Sequence, residues 1–241
     1  MRWLADCSPA AITEVLRAVA PELSGHEIVV RESLGEQDPQ WWLGSAVVGE
    51  RFVARPAWSQ PAALRLAHEV GVLTALLREA SVPFLPEVVA SSTDPVLLVT
   101  RLVPGTALFD VVDTIGRDHA GRQLASFLAG MHHPKTLEQV EGLVGELPPA
   151  LLPPAATSTI RGRFGKWIRP DQVGTVMRWC DWADDVLAAP RPAVLVHADL
   201  HGGNQVWKDG ELRVVSTSKQ PGPLSRSTTC APFRGQGQAS N

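Results

Sequence analysis

Residues 194–207 read Val-Leu-Val-His-Ala-Asp-Leu-His-Gly-Gly-Asn-Gln-Val-Trp. An apolar run ending at Val196 leads into His197, Asp199 and Asn204, and a second apolar patch, Val206-Trp207, follows. A carboxylate and an amide this close in the chain can set a base and a metal ligand on one tight loop, as phosphoryl transfer requires. That chemistry also wants a second carboxylate. The next apolar segment is Glu211-Leu212-Arg213-Val214-Val215, and the chain then runs Ser216-Thr217-Ser218-Lys219. A hydroxyl stands where the second charge is needed.

Upstream of this stretch the patterning alternates between sheet and helix. Residues 9–20 suit a short amphipathic helix, with Ser8 as cap, Pro9 in the first turn and Ile12, Val15, Leu16 and Val19 at helical spacing. Glu27–Glu32, Gln40–Val48 and Arg51–Arg55 are predicted strands, the first two joined by a loop over Ser33–Pro39 and the last two by a turn at Gly49-Glu50. Trp41-Trp42 alternates within the second, so at least one of the pair is expected in the core. Ser59–Ala80 is the clearest helix, with Leu64, Ala67, Val70, Leu73, Leu76 and Leu77 as its apolar stripe. Val82–Val89 is a Pro-punctuated connection, and Pro95–Val103 contains a buried strand that Pro104-Gly105 breaks.

Beyond that break, residues 117–133 form a predicted helix through Leu124, Phe127, Leu128 and Met131. Residues 134–170 are Pro-rich and weakly patterned, and Gln172–Ala188 is helical with Val173, Val176, Trp179, Trp182 and Val186 on one side. Residues 194–215 suit strand, loop, strand, a turn at 208–211 and a last strand. Residues 216–241 contain no Asp or Glu and have the composition of a disordered tail.

The bulk numbers exclude several classes. A net charge of −3 argues against nucleic acid and against an anionic membrane as partner. No apolar run of about 18 residues exists to span a bilayer, and the first residues lack the apolar core of a secretory signal. Cys7, Cys180 and Cys230 are far apart without metal-ligand spacing, so the expected compartment is a reducing cytoplasm.

In order and motif the chain resembles the aminoglycoside phosphotransferase family, whose fold is similar to that of protein kinases. The resemblance runs from about Glu27 to Val215. Its most specific part is His197-Ala198-Asp199-Leu200-His201-Gly202-Gly203-Asn204, which matches the H-G-D-x-H-x-x-N loop with Ala198 for the usual Gly. Weaker matches are the strand Arg51–Arg55 followed by His68-Glu69, and the linker Leu97–Gly105. The resemblance implies an α+β, two-lobe fold: an N-lobe over 1–103 with a small antiparallel sheet and one long helix, and an incomplete, mostly helical C-lobe over 104–215. Residues 216–241 would be a tail.

It also implies roles, with ATP and Mg²⁺ as cofactors and a hydroxyl of a small molecule as acceptor. Asp199 would orient that hydroxyl and accept its proton. Asn204 would ligate magnesium. Arg55 stands where a phosphate-binding Lys is usual, with Glu69 as its partner; the planar guanidinium is a departure, since it does not present a compact ammonium. Thr100, Arg101, Leu102 and Val103 would hold the adenine through backbone hydrogen bonds. His197 and His201 could ligate a metal, but structural bonds to backbone carbonyls are the expectation. The run Asp199-Leu200-His201-Gly202 also resembles metallophosphoesterases, yet the early D-x-H and later G-N-H-D of that family are absent.

The family's second metal-binding Asp falls at Ser216, and a neutral hydroxyl is a poor ligand for a hard cation. Phosphoryl transfer in this chain is therefore expected to be crippled or absent, with a non-catalytic nucleotide-binding protein as the alternative. Synonymous codons for Ser216–Phe233, read after dropping two bases, can give DFEAAGPALPEYDLCAV, which begins with the missing Asp and supplies a Tyr to a chain that has eight Trp and none. The codons are chosen, but the freedom falls mostly on the first base of each shifted codon. A frameshift after Val215 is the resulting expectation, together with uncovered apolar sides on the helices at 117–133 and 172–188. Resequencing the locus checks the first point: an alternative frame that closes at once would sink it.

Overall fold

The computed structural model describes residues 1–31, 43–79, 82–145, 147, 156–188, 194–197 and 199–216. Helix α1 (Pro9–Val19) starts where the Ser8 Oγ accepts the Ala11 N–H at 3.2 Å, and it buries Ile12, Val15 and Leu16. Strands β1 (Ile28–Arg31), β2 (Ser45–Val48) and β3 (Phe52–Pro56) pair antiparallel. Gly49 and Glu50, at φ 55° and 54°, make the left-handed two-residue turn that matches strand twist between β2 and β3. Of the expected second strand, β2 covers Ser45–Val48, while Trp41, Trp42 and the loop at 33–39 lie outside the described residues.

Helix α2 (Gln60–Glu79) is capped by the Ser59 Oγ, which accepts the Ala62 N–H at 3.2 Å. Its buried stripe agrees with expectation at Val70, Leu73 and Leu76 but not at its ends: Leu64 is 57% and Leu77 45% exposed, while Ala62, Ala63 and Leu66 are buried. The sheet, not the helical period, decides which side of the first turns is covered. Strand β4 (Val88–Thr93) was not expected. It is an edge strand, half-exposed and rich in Ser and Thr, so it lacks the apolar signal of its neighbour β5 (Val96–Arg101). The sheet order is β1-β2-β3-β5-β4.

Successive residues of β5 face opposite layers. Leu97 and Val99 join a core with α1, whereas Val96 and Leu98 join a core with α2. The chain then leaves this sheet. A Cβ on Gly105 would lie 2.5 Å from the Trp207 carbonyl oxygen, so only glycine lets β6 (Thr106–Ala107) approach β7 (Gln205–Lys208). Strand β8 (Glu211–Val215) completes a second, three-stranded sheet.

Between β6 and β7 the chain is helical: α3 (Leu108–Ile115), α4 (Arg117–Met131), α5 (Pro134–Val144), α6 (Ala156–Thr159) and α7 (Val173–Ala188). Helices α3 and α5 escaped the sequence reading. α3 has no buried residue, and α5 buries only Thr136 and Val140 behind a His133-Pro134 start that resembles a loop. α4 buries Phe127 and Met131 against α5 and the β7–β8 hairpin, so its apolar side is covered, contrary to expectation. α7 meets the expectation: Trp179 and Trp182 are 69% and 66% exposed, with Cys180 buried between them. The strand expected at 194–196 is not formed, since only Leu195 is buried there and Val196 is exposed.

Candidate active site

The 199–204 loop is held by its own side chains. Gly202–Asn204 forms one tight helical turn, with His201 as its cap: the Nδ1 accepts the Gly203 N–H at 2.9 Å. Both glycines sit close to rings: a Cβ at Gly202 would meet the Phe109 ring at 2.8 Å and one at Gly203 the His201 ring at 2.8 Å, so a larger residue would displace one of them. Asn204 is 2% exposed, and its Nδ2 donates to the Asp199 carbonyl at 2.9 Å and to the Asp199 Oδ2 at 2.8 Å. Two oxygen acceptors fix the orientation of this amide. Its Oδ1 is buried with no hydrogen-bond partner among the described residues.

Asp199 itself is open, its side chain 61% exposed, with Oδ1 lying 3.7 Å from the His201 Nε2. His197 is half-buried, packs edge-on against Phe127 and accepts the Asp199 N–H at 3.4 Å through Nδ1. Burial pushes its pKa below the ordinary imidazole value, opposed by the charge of Asp199. Each ring accepts a backbone N–H, and His197 is also held by the Ser216 backbone, which acts against its desolvation.

Ser216 follows β8 directly. It is buried, and its N–H donates to the Asn204 carbonyl at 2.8 Å. The hydroxyl-bearing residue is thus the neighbour of Asn204, at the place where a second carboxylate was sought.

On the other side, Arg55 of β3 and Glu69 of α2 form a two-pronged pair. Arg55 Nη1 donates to Oε1 and Nη2 to Oε2, the latter at 3.1 Å, with side chains only 9% and 15% exposed. Arg65, one helical turn before Glu69, was missed by the sequence reading; its spacing from Glu69 was the available signal. Arg65 is exposed, yet partial desolvation of its guanidinium pushes its pKa down, opposed first by the charge of Glu69. His197 feels Glu69 as well.

Thr100 and Arg101 lie at the end of β5, with Leu102 and Val103 just beyond. The Arg101 N–H donates to Glu87 at 2.9 Å and the Leu102 N–H to Arg51 at 2.8 Å. A base held here would use carbonyl oxygens or the Val103 N–H, not those two donors.

As a magnesium site the residues do not fit. The buried Asn204 Oδ1 suits a cation, but among the described residues Asp199 is the one carboxylate that bonds it, and Ser216 adds no charge. Among the described residues, no group of three His, Cys, Asp or Glu could hold a metal ion.

The profile of the phosphotransferase enzyme family matches residues 28–215, well over half of the chain. The chain belongs to the phosphotransferase enzyme family. Solved structures of similar fold include aminoglycoside 2'-phosphotransferase-IIIa in its GDP complex, at 18% identity and TM-score 0.61, covering 87% of this chain and 72% of that one. The streptomycin–ATP complex of APH(2")-IIa has 16% identity and TM-score 0.55, with 86% and 69% covered. Macrolide 2'-phosphotransferase MphH from Brachybacterium faecium has 20% identity and TM-score 0.55, with 86% and 70% covered. These identities establish the fold alone, and it is the α+β, kinase-like fold of the phosphotransferases. No curated protein matches the chain. Among the described residues no helix is long and apolar enough to cross a membrane. The family match stops at Val215, one residue before Ser216.

Proposed function

We propose that this chain binds ATP between the Arg55–Glu69 pair and the 199–204 loop, and that the site is that of a phosphotransferase acting on a hydroxyl of a small molecule, crippled by Ser216. Residues 1–103 would then be the lobe that holds the nucleotide, and 104–215 the part that carries the loop. The end of the family match at Val215 supports the reading that the frame shifts there.

One observation carries the reading: Asn204 clamps one oxygen of Asp199 while the side chain stays open to solvent. A base must offer a defined oxygen to the proton that it takes. With Oδ2 held, Oδ1 is the atom that would accept the proton of the acceptor hydroxyl. Glu69 holds the Arg55 fork in one orientation, from which it can meet phosphate oxygens and neutralise charge in the transition state. The Val103 N–H and nearby carbonyls would meet the base. Magnesium, where a phosphotransferase uses it, supplies further charge neutralisation on the phosphates; the donor set here does not provide for it. Similar folds have been solved with ATP, ADP and GDP, and act on aminoglycosides and a macrolide, which supports a nucleotide and a small acceptor. The free thiols of Cys7 and Cys180 suit a reducing cytoplasm.

The buried Ser216 beside Asn204 favours a second reading, a nucleotide-binding protein without turnover. Turnover of ATP with a panel of small hydroxyl compounds separates the two. Ser216→Asp is expected to raise kcat by at least about tenfold, and Asp199→Ala to abolish the gain. If Ser216→Asp stays as inactive as the parent, the second reading stands.

A further inference from the structure

We infer that two copies of this chain pair through the outer face of α7. The arrangement is antiparallel and two-fold: Arg178 of each copy meets Asp185 of the other, with Trp179 and Trp182 packed between the two ion pairs.

The unit of α6, the turns at Ile160–Phe164 and Gly165–Trp167, and α7 gives no residue to the three cores among the described residues. One side of α7 holds the unit together. Arg161 donates to Asp181 at 2.8 Å and to Asp184 at 2.9 Å, Thr157 also donates to Asp184, and Cys180 is buried there. The helical period puts Thr175, Arg178, Trp179, Trp182 and Asp185 on the opposite side, and all five are exposed.

The order of these residues decides the occupant. A cation stands at one end of the indole pair and an anion at the other. From Arg178 to Asp185 is about two turns of helix. A second α7 turned end for end presents the same row as anion, indole, indole, cation. The two rows then match along their length, which is the condition for an isologous contact. A parallel pairing would set like charge against like charge. Within its own chain neither charge is answered. Arg178 donates to the neutral Thr175 hydroxyl at 3.1 Å, and among the described residues no ion pair includes Arg178 or Asp185. Residues 217–241 bring no acidic side chain to Arg178. Trp and Arg are also the residues that concentrate binding energy at interface centres. Four indoles, at most about 150–250 Å² each, make an interface at the small end of the specific range, so micromolar affinity is expected.

Sedimentation of the full chain across protein concentration tests the pairing. The parent is expected to pass from monomer to dimer with a micromolar Kd and to form nothing larger. Arg178→Asp and Asp185→Arg should each weaken self-association by about tenfold or more, because each sets like charges together at both ends. Mixed in equal amounts, the two variants should regain the parental dimer, since one copy then carries two anions and the other two cations at facing places. Both positions are exposed, and unfolding midpoints equal to the parent's will show that the variants fold. A parent that stays monomeric overturns the inference and leaves the face to a different protein. Growth beyond the dimer, single variants that pair like the parent, or a mixture that stays monomeric overturn it as well.

Discussion

Asn204 shows how much one side chain can organise. Its amide ties the backbone and carboxylate of Asp199 together, and its carbonyl receives the Ser216 N–H, so three pieces of chain converge on one buried residue. His197 sits at the edge of this arrangement and makes it sensitive to acid. Its folded pKa lies below the unfolded value of about 6.5, so the unfolded chain takes up the proton first as pH falls. Stability is then fully present above the ordinary imidazole range and is lost as pH falls through that range toward the lower folded pKa. Urea unfolding midpoints for the parent and for His197→Asn, taken between pH 8 and about pH 5, should show a shallower decline in the variant. Equal slopes would mean that the ring contributes nothing. The loop residues were legible in the sequence because their spacing is a motif.

At the level of elements, legibility followed burial. α1, α2 and β5 carry strong apolar periods and were read nearly to their ends. β4 is half-exposed and lacks an apolar signal, whereas α3 and α5 do carry helical stripes, Leu108, Val111 and Ile115 in one and Leu137, Val140 and Val144 in the other, which are short and were overlooked. The strand expected at 194–196 failed for the converse reason: an apolar run that pairs with no strand among the described residues forms no sheet. The Pro104-Gly105 break was visible, and its cause is steric. A side chain at 105 meets backbone, the Trp207 carbonyl, which cannot move without parting β6 from β7. Gly105→Ala is therefore expected to destabilise the chain by about 1–3 kcal/mol, read as a lowered urea midpoint at unchanged slope. A neutral result would show that β6 contributes little to the second sheet.

Over the whole molecule, two cores sandwich the five-stranded sheet and a third joins α2, α4 and α5 to the β7–β8 hairpin, which brings the loop toward the Arg55–Glu69 pair. α7 stands apart from this economy, with Trp179 and Trp182 outward, and Phe164 and Trp167 exposed upstream. Large indoles in water favour association. Replacing Trp179 and Trp182 by Ser should lower concentration-dependent light scattering of the chain without moving its unfolding midpoint. Scattering that stays the same would assign the association to another surface. The sequence by itself determined the family, the loop that carries Asp199 and Asn204 and the serine at 216, since all three are matters of residue identity at short spacing. Only the tertiary structure decided which faces of α2 and α4 are covered, that the His197 and His201 rings accept backbone N–H groups, and that Asn204 clamps Asp199. Those depend on where side chains come to rest in the folded chain, where burial and bonding are set by neighbours that no local pattern records.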